Sequence, residues 1–265
     1  MPTFALLCAM TYFASDLHLG IDARLGSKDR ERQFVRWLDH CAADAEAIYL
    51  MGDVFEYWFE YRHVVPRGYT RVLGALAALR DSGLPIYAFT GNHDVWMFGY
   101  FEEELGIPVY RHPVLKEIGG KQFMLGHGDG LGPGDHGYKR MKKVFAHPLA
   151  QWCYARLHPN FATWLARHAS QQSRKATPPE ERAWLGEERE WLLQYCLRKI
   201  NEKTEPDYFV FGHRHLPIDW RLPNGKSRYI NLGEWMYAAS YGVFNGTDMA
   251  LQFWEHNGKV VTNWH

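Results

Sequence analysis

Three short apolar runs, MTYFA at 10–14, AIYLM at 47–51 and PIYAF at 85–89, alternate with two stretches of helical periodicity, and this alternation constrains the fold most. Strand and helix in turn predict a largely parallel sheet and an α/β class. The first helix is expected over about 29–43, and the second enters at Pro66 and closes near Gly83. A short helix over 97–105 ends at Gly106, and strands at 108–118 and 122–126 flank a Gly-Gly turn. Residues 137–203 read as mostly helical, broken at the His-Pro pairs 147–148 and 158–159 and at TPP 177–179. Of these, 137–175 are expected to form a helical lid inserted in a single domain spanning 1–265. From Asp207 strands return, with PNG at 223–225 and Asn-Gly at 245–246 and 257–258 as hairpin turns.

With 265 residues, 46% hydrophobic and 23% charged, the chain can bury a sizeable core, and disorder is excluded. Cys8, Cys41, Cys153 and Cys196 form no CxxC pair, which reads as free thiols in a reducing compartment. No apolar run approaches the ~20 residues of a membrane span. The first residues, MPTFALLCAMTYFA, lack the basic start of a secretory signal, and Met10 is a second candidate start.

Net charge is zero, yet no acidic residue falls between Asp135 and Glu180, where Lys139, Arg140, Lys142, Lys143, Arg156, Arg167, Arg174 and Lys175 stand. Phe145, Trp152, Tyr154, Phe161 and Trp164 are interleaved with them. A partner both anionic and greasy, a membrane surface or a nucleic acid fits such a block.

The chemistry collects in loops directly after strands. SDLHLG carries Asp16 and His18, MGDVFEYW carries Asp53, TGNHDVW carries Asn92, His93 and Asp94, HGDG carries His127 and Asp129, and GHRH carries His213 and His215. Open α/β sheets bind ligands at the carboxyl ends of their strands, so five such loops converge on one rim. Oxygen and imidazole ligands without thiolate favour Mn²⁺, Fe²⁺ or Zn²⁺. The set is too large for one ion, and pairs of ions roughly 3.5–4 Å apart serve in-line displacement at phosphorus.

In their order, DxH, GD, GNHD, HGD and GHxH resemble the calcineurin-like metallophosphoesterase family over nearly the whole chain. The resemblance implies a four-layer αββα sandwich and two divalent ions, most readily Mn²⁺. Asp16, His18 and His215 would hold one ion, Asn92, His127 and His213 the other, and Asp53 would bridge them. It further implies water between the ions as nucleophile, and His93 as proton donor or transition-state stabiliser, oriented by Asp94.

Within that family GDVFEYW lacks the Asp and Arg-Gly of the protein phosphatases' GDxVDRG. SDLHLG, GDVFEYWFEY, GNHDVW, HGDGLG, GHRH and NLGEW resemble instead the UDP-2,3-diacylglucosamine diphosphatases of lipid A synthesis, in a branch with His93 where the best-known branch has Arg. That implies an acylated nucleotide-sugar substrate, with Asn92, Tyr138, Ser170, Ser173, Arg174 and Lys175 as contacts. It also implies a cytoplasmic enzyme at the inner face of the inner membrane. A phosphodiesterase or nucleotide pyrophosphatase with a soluble substrate is the alternative. A nucleic-acid groove is a third reading, which zero net charge disfavours.

Overall fold

Alternate side chains of an extended chain face opposite ways, and in MTYFA both sides are apolar, so the strand must be covered on both faces. In the computed structural model β1 (Met10–Ala14) buries Tyr12 and Ala14 on a helix-covered side and Phe13 between two sheets. The structure describes residues 10–133, 136–176, 183, 184 and 186–263, and of 136–138 and 173–176 the backbone alone.

Helix α1 (Ser27–Cys41) leads to β2 (Ala45–Leu50), and α2 (Thr70–Asp81) to β3 (Ile86–Phe89), each strand parallel to the one before. Helix α3 (Tyr100–Leu105) closes on Gly106, whose φ of 63° suits glycine, and precedes the parallel β4 (Val109–Tyr110). Helix α2 starts later than Pro66 because its cap comes from another helix: Glu31 of α1 accepts the Arg71 and Val72 amides at 2.9 and 3.2 Å. Sequence-local signals carry no trace of such a cap.

β5 (Val114–Ile118) and β6 (Lys121–Leu125) form a hairpin, followed by α4 (His136–Ala146), α5 (Pro148–Tyr154) and α6 (Pro159–Ala176). Both His-Pro pairs fall at helix starts, while TPP 177–179 lies outside the described residues. Helix α7 (Trp191–Asn201) then leads to β7 (Tyr208–Phe211), β8 (Pro217–Arg221), β9 (Arg228–Leu232), β10 (Ser240–Phe244), β11 (Met249–Phe253) and β12 (Val261–Thr262).

Among the described residues two six-stranded sheets result, ordered β11-β10-β1-β2-β3-β4 and β12-β8-β9-β7-β6-β5. Phe13, Tyr49 and Phe89 of one meet Phe123, Val210 and Ile230 of the other. Each such fully buried side chain contributes about 1.5–3 kcal/mol. Helices α1 and α2 cover the outer face of the first sheet, and α7 that of the second, which makes four layers, αββα. Cys41, Cys153 and Cys196 are free thiols.

The expected hairpin at Asn257-Gly258 is not formed. β11 lies in the first sheet, while β12 pairs in parallel with β8 in the second, so the chain crosses between sheets there. Gly258 serves close approach instead: a Cβ on it would fall on the Phe253 ring.

Candidate metal centre

The rim is built by loops that leave their strands through backbone few side chains adopt. Asp16, His18, Asp53, His213 and His215 all have left-handed φ, between 46° and 69°. Such conformations cost of order 1–3 kcal/mol each and cluster at functional sites. The surroundings hold them. The Asp16 and His18 amides donate to the Gly52 and Asp53 carbonyls at 3.0 and 2.9 Å, which continues the β1–β2 ladder beyond the strands. Arg30 of α1, fully buried, donates to the carbonyls of Leu17, His18, Ile21 and Leu25 at 2.6–3.1 Å, so one guanidinium ties the SDLHLG segment to the residues that lead into α1.

Glycine allows the loops to touch. A Cβ on Gly212 would fall on Ser15 Oγ and Asp16 Oδ2, and one on Gly91 on the Asp53 carboxylate. Gly212 thus ends β7 and permits its loop to lie against the loop after β1.

Two groups of side chains result. In one, His215 Nε2 lies 3.1 Å from Asp16 Oδ1 and 3.1 Å from His18 Nε2. In the other, His127 Nε2 lies 3.3 Å from Asp53 Oδ2 and 3.3 Å from Asn92 Oδ1, and the His213 ring is 5.1 Å from that of His127. Asp53 Oδ2 is also 3.8 Å from His18 Nε2, so this carboxylate stands between the groups. Two of the imidazoles are oriented from behind: His127 Nδ1 donates to the Met51 carbonyl at 2.9 Å and His18 Nδ1 to Glu56 at 3.1 Å, leaving both Nε2 atoms toward the centre.

The electrostatics fit a cation. Burial opposes charge on His18 and His127, yet the carboxylates beside them prevail and push the imidazoles up to about 9 and about 10. Burial and the charge of His127 press His213 down to about 4. Burial works against ionised Asp53, but positive charge at His127 and His93 outweighs it and holds the carboxyl far below the usual range. Protons are drawn to where a divalent ion would otherwise answer the same field. Asp16 Oδ1 is buried with no aligned hydrogen-bond donor, the kind of acceptor a cation would take.

His93 sits at the edge of the first group. Its amide donates to Asp53 Oδ1 at 2.8 Å and its Nδ1 to the Glu56 carbonyl at 3.1 Å. Asp94, expected to orient that ring, turns its carboxylate to amides instead, accepting Gly91 at 2.7 Å, Val54 at 2.8 Å and, more weakly, Asp53 and Phe55. It clamps the GNHD loop to the GD loop, and burial with the neighbouring Asp53 charge pushes its carboxyl up to about 7.

Ser170 of α6 donates to Glu56 Oε1 at 2.5 Å, so this helix reaches the rim. The side chains of Tyr138, Ser173, Arg174 and Lys175 lie outside the described residues. Besides Arg30, two further supporting residues escaped the sequence reading. Glu56 was signalled only by a charge inside the aromatic run GDVFEYWFEY. Arg214, between the two histidines of GHRH, has its guanidinium on buried Glu190 at 2.9 Å, anchoring that loop to the start of α7.

This fold and rim define a phosphoesterase class, and the chain belongs to the calcineurin-like phosphoesterase family, whose model matches residues 10–217. It is similar along its length to curated proteins that share one name. It is 41% identical to the UDP-2,3-diacylglucosamine hydrolase of Porphyromonas gingivalis, over 92% of this chain and 97% of that one. Identity is 31% to the protein of that name from Pseudomonas putida, over 85% and 91% of the two chains, and 28% to that from Aeromonas hydrophila, over 91% and 97%.

Proposed function

We propose that this protein is a divalent-metal hydrolase that cleaves the pyrophosphate bond of UDP-2,3-diacylglucosamine, giving UMP and 2,3-diacylglucosamine 1-phosphate. The observation that carries the substrate is the 41% identity, across 92% of the chain, to a relative named for it. Asp16, His18 and His215 would hold one ion and Asn92, His127 and His213 another, with Asp53 shared, and Mn²⁺ suits this oxygen and imidazole set. Two such ions supply Lewis acidity and a water acidic enough to attack phosphorus at neutral pH.

The chain's own groups do the rest. Water adds to the phosphorus nearer uridine, and the bond from that phosphorus to the bridging oxygen breaks, so the oxygen leaves on the sugar phosphate. His93, whose Nδ1 donates to the Glu56 carbonyl, would manage charge or a proton on the reacting diphosphate through Nε2. Asn92, beside His127, is placed to contact a phosphate oxygen as well.

Residues 137–175 serve as a lid over this rim. Leu149, Trp152, Phe161 and Trp164 are at least half exposed, and Arg156 lies 4.4 Å over the Trp152 ring. Apolar side chains with cations among them suit acyl chains on a phosphorylated sugar, and they suit peripheral binding at the cytoplasmic face of the inner membrane. No helix among the described residues is long and apolar enough to cross a membrane. Ser170, Ser173, Arg174, Lys175 and Tyr138 are the proposed polar contacts to the substrate.

The test is turnover with Mn²⁺ on UDP-2,3-diacylglucosamine, bis-p-nitrophenyl phosphate, cyclic AMP and single-stranded DNA. Release of UMP from the lipid substrate, well above the other rates, is expected. Hydrolysis of the small diesters alone would move the assignment to a phosphodiesterase with a soluble substrate, and cleavage of DNA to a nuclease.

A further inference from the structure

We infer that Glu56 is a positioning residue that orients His18 and His93 together and joins both to the lid, so that seating of α6 and geometry at the metal centre draw on one carboxylate.

Glu56 is 3% exposed, and a carboxylate taken out of water needs partners on both oxygens. Those partners come from three parts of the fold. Oε2 accepts His18 Nδ1 at 3.1 Å and lies 3.8 Å from His93 Nδ1, whose proton goes to the Glu56 backbone carbonyl at 3.1 Å. Oε1 accepts the Ser170 hydroxyl at 2.5 Å across 114 residues of sequence. The Glu56 amide donates to the Leu19 carbonyl at 2.8 Å, which holds the residue itself against the SDLHLG loop.

Two consequences follow from donor chemistry. With both Nδ1 atoms donating to Glu56, both rings keep Nε2 for the centre, and the rings are locked edge to face at 4.8 Å and 86°. If α6 lifts away, Oε1 loses the Ser170 hydroxyl in a buried site, and one of the constraints that hold the carboxylate toward His18 goes with it. Lid and ligand therefore bias each other, and linkage makes the bias equal in both directions. A carboxylate behind a metal-bound imidazole typically carries 10–100-fold in metal affinity.

The inference rests on the reading above, in which His18 holds an ion and α6 belongs to the lid. Its test uses the full-length, metal-stripped protein, with free Mn²⁺ followed by electron paramagnetic resonance and α6 followed by amide hydrogen exchange. Wild type should bind Mn²⁺, and α6 should exchange more slowly once it is bound. Glu56→Gln should weaken Mn²⁺ binding about 10–100-fold. Ser170→Ala should fold with a modestly lowered Tm, since one partner of a buried carboxylate is lost, bind Mn²⁺ about 5-fold more weakly, and lose the slowing of α6 exchange on metal addition. Wild-type Mn²⁺ affinity in Glu56→Gln would overturn the inference, and so would intact metal-dependent protection of α6 in Ser170→Ala. Should Glu56→Gln not fold, the Ser170→Ala result decides alone. A wild type that binds no Mn²⁺ would overturn the functional reading itself, a result distinct from either variant's.

Discussion

His18 Nε2 lies 3.1 Å from His215 Nε2, although 197 residues separate them in sequence. Two imidazole nitrogens facing at that distance cannot both carry a proton: one N–H donates to the other ring, or one cation takes both lone pairs. The left-handed backbone of each residue aims its ring there, and Asp16 Oδ1, 3.1 Å from His215 Nε2, completes the group.

Asp53 stands between this group and the one around His127. Asp53→Ala should therefore lower bound metal at both positions, not one. We expect kcat to fall by on the order of 10²–10³-fold or more. Metal analysis of the purified variant checks it, and full occupancy with near-normal turnover would remove Asp53 from the shared position.

His93 has its Nδ1 on a backbone carbonyl and sits at the edge of the ligand groups. His93→Ala should keep metal content close to wild type and lose about 10²–10⁴-fold in rate. Steady-state kinetics beside metal analysis separate the two roles; a loss of metal matching that of Asp53→Ala would make His93 a ligand.

A methyl group on Gly212 would fall on Ser15 Oγ and Asp16 Oδ2. Gly212→Ala should force the GHRH loop away from the loop after β1, costing about 1–3 kcal/mol of stability. A lowered Tm together with weakened Mn²⁺ binding is the expected outcome. An unchanged melt would mean the two loops do not meet as described.

Trp152 and Trp164 are exposed by 55% and 58%, far from any proposed metal ligand in sequence. Replacing both with Ser should leave metal content and slow hydrolysis of bis-p-nitrophenyl phosphate intact. Activity on the acylated substrate should fall by orders of magnitude, since each acyl methylene left in water costs about 0.8 kcal/mol. Parallel loss of both activities would point to a damaged fold instead of a lost acyl surface.

Much of the architecture was legible in local pattern. The apolar runs at 10–14 and 85–89 predict strands that form within a residue of the expected bounds, because a strand buried on both faces needs an unbroken apolar run. His-Pro pairs mark the starts of α5 and α6 because proline fits the first turn of a helix and disfavours helix before it. The start of α2 and the path after β11 were not legible. One depends on a carboxylate of α1, the other on a crossing between sheets.

By itself the sequence determined that five loops bearing Asp, Asn and His follow five strands, since strand and loop identity depend on neighbours along the chain. Which side chains stand behind those loops was decided only by tertiary structure. Arg30 reaches four carbonyls of one loop, Asp94 serves the distant Val54 amide and not the neighbouring ring, and Glu56 joins His18, His93 and Ser170. Each of these contacts spans turns or whole layers of the fold. The physical reason is that a buried charge is satisfied by whatever donors or acceptors packing brings within about 3 Å, and packing is a property of the assembled layers, not of any stretch of chain.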